Sequence, residues 1–122
     1  MTPQRFTADQ VRRMEEIQEF LHTVEMVKHL VDELDANRAA QTRTIQNLCD
    51  RIAKETSQLR QRALTANIGT VADVAGTMSV MAVRGGGINM KIRALTDGAG
   101  SLRMQLDAAL QHAMTPEPKN PA

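Results

Sequence analysis

Residues 7–62 read TADQVRRMEEIQEFLHTVEMVKHLVDELDANRAAQTRTIQNLCDRIAKETSQLRQR, and the spacing of their apolar residues decides the fold. One series runs Ile17, Val24, Val31, then Arg38, then Ile45, Ile52 and Leu59. A second, three residues on, runs Phe20, Val27, Leu34, then Gln41, then Leu48, with Leu21 widening the stripe. A repeat every seven residues is the seam of a coiled coil or helical bundle. The start is marked as well. Thr7 and Gln10 stand at the two positions of a capping box, with Phe6 and Val11 at the staple positions around it.

The seam is interrupted over Asp35–Thr42, and two readings stand there. Either the chain turns near Asn37 and pairs an acidic helix (about 7–35) with a basic one (about 41–62), or one helix continues and Arg38 and Gln41 form a polar layer. The two stretches are complementary in charge, as if meant to lie side by side, within one chain or between chains. Residues 1–35 carry four basic residues against eight acids, and residues 36–68 carry six basic residues against Asp50 and Glu55.

All seven glycines lie at or after Gly69, and no proline occurs between Pro3 and Pro116. A proline-free interval of that length allows helix throughout. A glycine costs about 1 kcal/mol against alanine inside a helix, so each one in the second half wants a reason. Ala72, Gly76, Ser79 and Val83 share one helical face, a strip of small residues along which another helix lies close. Ile68, Val71, Met78 and Met81 fall on another side. Gly69 and Gly76 read as close-packing positions, Gly85, Gly86 and Gly87 as a helix reversal, and Gly98–Gly100 as a break before a last helix capped by Ser101. The expectation is an all-α chain: a lead-in (1–6), an amphipathic heptad segment (7–62) forming a long helix or hairpin, a Gly-rich apolar helical hairpin (63–113) and a disordered tail (114–122).

Composition narrows the function. With 122 residues, 2% aromatics and a net charge of +1, the chain is one domain with an aliphatic, methionine-rich core and no bulk attraction to nucleic acid. Arg43, Arg51, Lys54, Arg60 and Arg62 form a basic stretch without the interleaved aromatics of a nucleic-acid surface, so a solvated or partner-facing helix is expected. The Gly85–Gly87 turn lacks the Lys-Ser/Thr ending of a phosphate-binding loop. His22, Glu25 and His29 near one helix face are too few for a structural metal site. The single Cys49 reads as a small buried hydrophobe, not a nucleophile. No catalytic constellation is present, so no enzyme, cofactor or metal is expected. The N-terminal stretch has no apolar core of a signal peptide, which favours a cytoplasmic or peripheral membrane location.

Residues 63–83 are long enough to span a bilayer at 21 residues, and Asp73 is their only charge. Six Leu, Ile and Val residues contribute roughly −2 to −4 kcal/mol, and Asp73 costs about 2.5 to 3.5 kcal/mol near the centre. Autonomous insertion is not expected. Protonation of Asp73 would lower that cost, so acid-favoured insertion is the conditional form, to be lost as a distinction if Asp73→Asn protein inserts no differently.

Several short patterns occur in order: Leu48–Ile52 on a helix, Thr65–Ile68, Ala75–Val80, the Gly85–Gly87 turn, then Leu95-Thr96 followed by Gly98–Leu102. In order and spacing, residues 45 to 106 resemble the apolipoprotein L family. The resemblance implies a non-enzymatic, lipid-associating helical protein in which an amphipathic segment precedes a Gly-rich hairpin, and it also admits an extracellular location. Here Asp73, Arg84, Lys91, Arg93, Asp97, Arg103 and Asp107 intrude on the hairpin, which points to peripheral lipid contact. On this reading Ile68, Val71, Val74, Met78, Val80, Met81 and Val83 face lipid, Arg84, Lys91 and Arg93 sit near headgroups, and the heptad helix shields the hairpin away from lipid. The alternative is a coiled-coil scaffold that binds itself or a helical partner through the heptad seam.

Overall fold

The computed structural model describes residues 6–115. They form four helices: α1 (Ala8–Ala36), α2 (Thr42–Thr65), α3 (Gly69–Val83) and α4 (Ile88–Met114). Each helix packs on its neighbours in sequence, and α4 closes the ring on α1, while the backbones of the diagonal pairs stay apart. The result is an antiparallel four-helix bundle, as short connections between successive helices require. The lead-in through residue 5, and the tail from residue 116, fall outside the described residues.

Both partners of the capping box are made. The Gln10 amide donates to Thr7 Oγ1 at 3.1 Å, and the Thr7 amide donates to Gln10 Oε1 at 2.9 Å. Gln10 Nε2 also donates to the Ala113 carbonyl at 3.3 Å, fastening the start of α1 to the end of α4. Val11 stays exposed, so the staple adds little. Thr7→Ala is therefore expected to lower the unfolding free energy by about 1 kcal/mol, read by urea denaturation. A change under a few tenths would mean the cap is idle.

The two readings of residues 35–42 resolve in favour of a turn. Helix α1 ends at Ala36, and Asn37 Nδ2 donates back to the Glu33 carbonyl at 2.7 Å. Arg38 leaves the seam altogether. It pairs with Asp35 and donates to Asn89 Oδ1 at 2.7 Å, tying the turn to the start of α4. The seam residues Ile17, Phe20, Val24, Val27, Val31, Leu34, Leu48, Ile52 and Leu59 are all buried, and they are buried within one chain. Each such side chain contributes about 1.5–3 kcal/mol by leaving water. Thr56 is the buried polar residue of α2, and its hydroxyl donates to the Ile52 carbonyl at 2.7 Å.

The acidic and basic helices do lie side by side, but no ion pair joins α1 to α2 among the described residues. Arginines of each reach the other by different means. Arg62 lies over the Phe20 ring, 5.1 Å from its centroid, and Arg13 donates to the Ala66 carbonyl at 2.7 Å.

The second half corrects the sequence reading in three places. First, residues 63–83 are not one helix. Helix α2 runs to Thr65, and Asn67 adopts a left-handed conformation (φ 60°). The Ile68 amide donates to the Ala63 carbonyl at 2.9 Å and the Asn67 amide to the Leu64 carbonyl at 3.2 Å. These two bonds are a Schellman C-cap with asparagine in glycine's usual place. Second, Gly98–Gly100 do not break the chain. Helix α4 runs through them, and Ser101 sits inside it and caps nothing. Third, Gly69 has open space around it and is no close-packing position. The reversal at Gly85–Gly87 stands, and within it only Gly86 (φ 136°) needs glycine's freedom.

Helix α3 has 15 residues against 24 in α2. At 1.5 Å per residue it rises about 22 Å against about 36 Å, so it covers only part of its neighbour. Val83 at its C-terminal end and residues 84–87 of the turn are all exposed.

Candidate functional site

Helix α3 is apolar on nearly every side, so its burial is set by where α2 and α4 lie. The residues expected to face lipid divide accordingly. Ile68, Val71 and Met78 point into the core and are buried, together with Ala72, Ala75 and Ala82. In the closed bundle Ile68, Val71 and Met78 are covered by the other helices, so they could meet lipid only if the bundle opened. Val74 and Met81 are half-buried and line a groove of about 410 Å³ against Ala94 and Gly98 of α4. Val80 and Val83 stand out at 56% and 62% exposed.

The cations expected near headgroups cluster beyond them. Arg84 and Arg93 are exposed and Lys91 is half-buried. Residues 84–93 contain no acid, and no ion pair among the described residues involves this segment. Met90, read from the sequence as core filler, is 78% exposed and adds apolar surface to the same segment. Val80, Val83, Arg84, Met90 and Arg93 are thus all exposed within a few residues of the 84–87 turn, at one end of the α3–α4 hairpin. Asp73 is exposed nearer the start of α3, and shares a groove with Val80 and Arg84.

The small-residue strip does face α2, but what it admits is a side chain. A Cβ built on Gly76 would lie 3.0 Å from Arg60 Cδ and 3.2 Å from Nε. The Arg60 stem therefore crosses α3 at Gly76. Beside it opens a groove of about 660 Å³ that also includes Ser57, Asp73, Val80 and Arg84. Nothing in the spacing of the sequence marks Arg60 out from the other arginines of α2.

Remaining candidates are absorbed by the bundle. Glu25 pairs with Arg103 of α4, and His22 and His29 stand exposed. Among the described residues no group of three His, Cys, Asp or Glu is gathered closely enough to hold a metal ion. Cys49 is buried, and that burial pushes its thiol pKa up against a smaller lowering from Lys91, as suits a packing residue. Among the described residues no helix is long and apolar enough to cross a membrane. Comparison with protein-family models, curated proteins and solved structures finds no match.

Proposed function

We propose that this chain is a non-enzymatic helical protein that docks on anionic lipid surfaces through the α3–α4 end of its bundle. The observation that carries the reading is the joint exposure of Val80, Val83 and Met90 beside Arg84 and Arg93, in a segment free of acids. Each cation near an anionic leaflet is worth about 1 kcal/mol, and the exposed valines and methionine gain by leaving water. The resemblance to the apolipoprotein L family supports lipid contact in kind. The span-length form of that contact is dropped, because α3 keeps only 15 residues. Docking by the exposed end requires no opening of the bundle, so the acid-favoured exchange centred on Asp73 is not needed for it.

Vesicle co-sedimentation tests this. Wild-type protein is expected in the pellet with phosphatidylcholine vesicles containing phosphatidylglycerol, and in the supernatant with phosphatidylcholine alone. The double variant Val80→Asp, Val83→Asp is expected to bind about tenfold more weakly with unchanged helicity, since both side chains are exposed. Wild-type protein that stays in the supernatant with both vesicles, or a double variant that pellets like wild type, defeats the reading.

A second reading, a scaffold for a helical partner or a second copy, has one observation in its favour. A groove of about 250 Å³ runs between α1 and α4, floored by Val24, Val31, Ala99 and Gly100. The heptad seam is unavailable for that role, being spent inside the chain. A light-scattering mass above 13.4 kDa in the absence of lipid favours the scaffold.

A further inference from the structure

We infer that the groove between α2 and α3 is a phosphate-binding site, with Arg60 and Arg84 as its two cationic arms and Ser57 as a hydroxyl donor. Three observations meet there. Arg60 and Arg84 both line the groove, and neither makes an ion pair or a side-chain hydrogen bond among the described residues. Gly76 lets the Arg60 stem lie close across α3, where a Cβ would crowd its Cδ at 3.0 Å and shift the guanidinium outward. Arg84, the cap of α3, lies eight positions after Gly76, a rise of about 12 Å, a span that two arginine side chains reaching toward each other close around one phosphate.

The hydroxyls of the groove sort themselves by what they already do. Thr77 donates to the Asp73 carbonyl at 3.1 Å and Ser79 to the Gly76 carbonyl at 2.9 Å, so both donors are spent on their own helix. Ser57 makes no such bond among the described residues, which leaves its hydroxyl to donate. Asp73 also lines the groove, eleven residues before Arg84 along α3. It stands three positions before Gly76, where Arg60 crosses, so its carboxylate disfavours an anion at the start of α3 and shifts the seat toward Arg84. The site deepens the membrane-surface reading, and rests on it only for the source of the phosphate: a lipid headgroup, or a soluble phosphate compound.

The test follows arginine Nε–H resonances while inorganic phosphate is added at constant ionic strength with chloride as the balancing ion. Arg60 and Arg84 are expected to shift together, and Arg51, an exposed arginine of α2 outside the groove, to stay in place. Arg60→Gln and Gly76→Ala are each expected to weaken binding at least tenfold, and Arg51→Gln less than twofold. Gly76→Ala is the sharpest arm. It changes no charge and replaces glycine with a better helix former, so retained helicity with lost binding separates a shaped site from diffuse attraction.

The same variants are then sedimented with phosphatidylglycerol vesicles. The same rank order there identifies a lipid headgroup. Phosphate binding by wild type without vesicle binding identifies a soluble phosphate compound; the site then stands and the membrane reading falls. Equal shifts at all arginines, an Arg51→Gln variant as weak as Arg60→Gln, or a Gly76→Ala variant that binds like wild type would overturn the site whatever the vesicles do.

Discussion

Replacing Gly98 by leucine is expected to lower the unfolding free energy by about 3 kcal/mol, the largest loss of any glycine substitution in this chain. A Cβ at position 98 would stand 2.7 Å from Met78 Cγ and 2.9 Å from Met78 Sδ. Met78 is buried at the α3–α4 contact, and displacing it toward the groove it lines with Gly98 would undo that packing. Leucine there forces α3 and α4 apart or drives Met78 off its rotamer. Gly100, two residues on, has nothing within 4 Å of its Cβ position. Gly100→Leu is expected to be neutral or to stabilise by roughly 0.5–1 kcal/mol through helix propensity alone. Urea denaturation of the pair gives the contrast. Equal effects at both positions would mean that α4 does not present Gly98 to Met78.

Leu34→Ala is expected to cost about 2–5 kcal/mol, the range for emptying a well-packed leucine site. Leu34 is fully buried near the end of α1, at the last seam position before the turn. The variant carries a second readout. Because the seam is filled within the chain, the denaturation midpoint of both wild type and variant is expected to be independent of protein concentration. A seam shared between chains would make the midpoint rise with concentration by mass action. That rise, or a loss well under 1 kcal/mol, would remove α1 from the position described.

The heptad spacing of Ile17 to Leu59 carried the helical class of the fold, because an apolar stripe at that period must be buried against other helices, though it left open whether they belong to the same chain. The capping box at Thr7 and the reversal at Gly85–Gly87 were legible for a similar reason: each is a local device with its chemistry written in adjacent residues. The turn at Asn67 was not, since asparagine takes the left-handed position there and no glycine or proline flags it. Helix α3 defeated the sorting of lipid-facing from core residues. It is apolar nearly all round, so its period does not say whether Val71 or Val80 turns inward; the positions of α2 and α4 do. The roles of Gly76 and Gly98 depend on Arg60 and Met78, which approach from another part of the chain, and no spacing within α3 or α4 reports that. Of the candidate site, Val80, Val83, Arg84 and Arg93 were read from sequence and are exposed together, whereas Met90 and Arg60 emerge only from the packing.

Docking by one end of the bundle makes a spatial claim that a binding curve alone does not reach. A polarity-sensitive fluorophore placed on Val83→Cys, in a Cys49→Ala background, reports the α3–α4 end. The same label on Gln111→Cys reports the far end of α4, about 35 Å along the helix from its start at Ile88. With vesicles containing phosphatidylglycerol, emission from position 83 is expected to shift to the blue, and emission from position 111 to stay where it is in buffer. No shift at position 83, or an equal shift at both positions, would contradict docking through this end of the bundle.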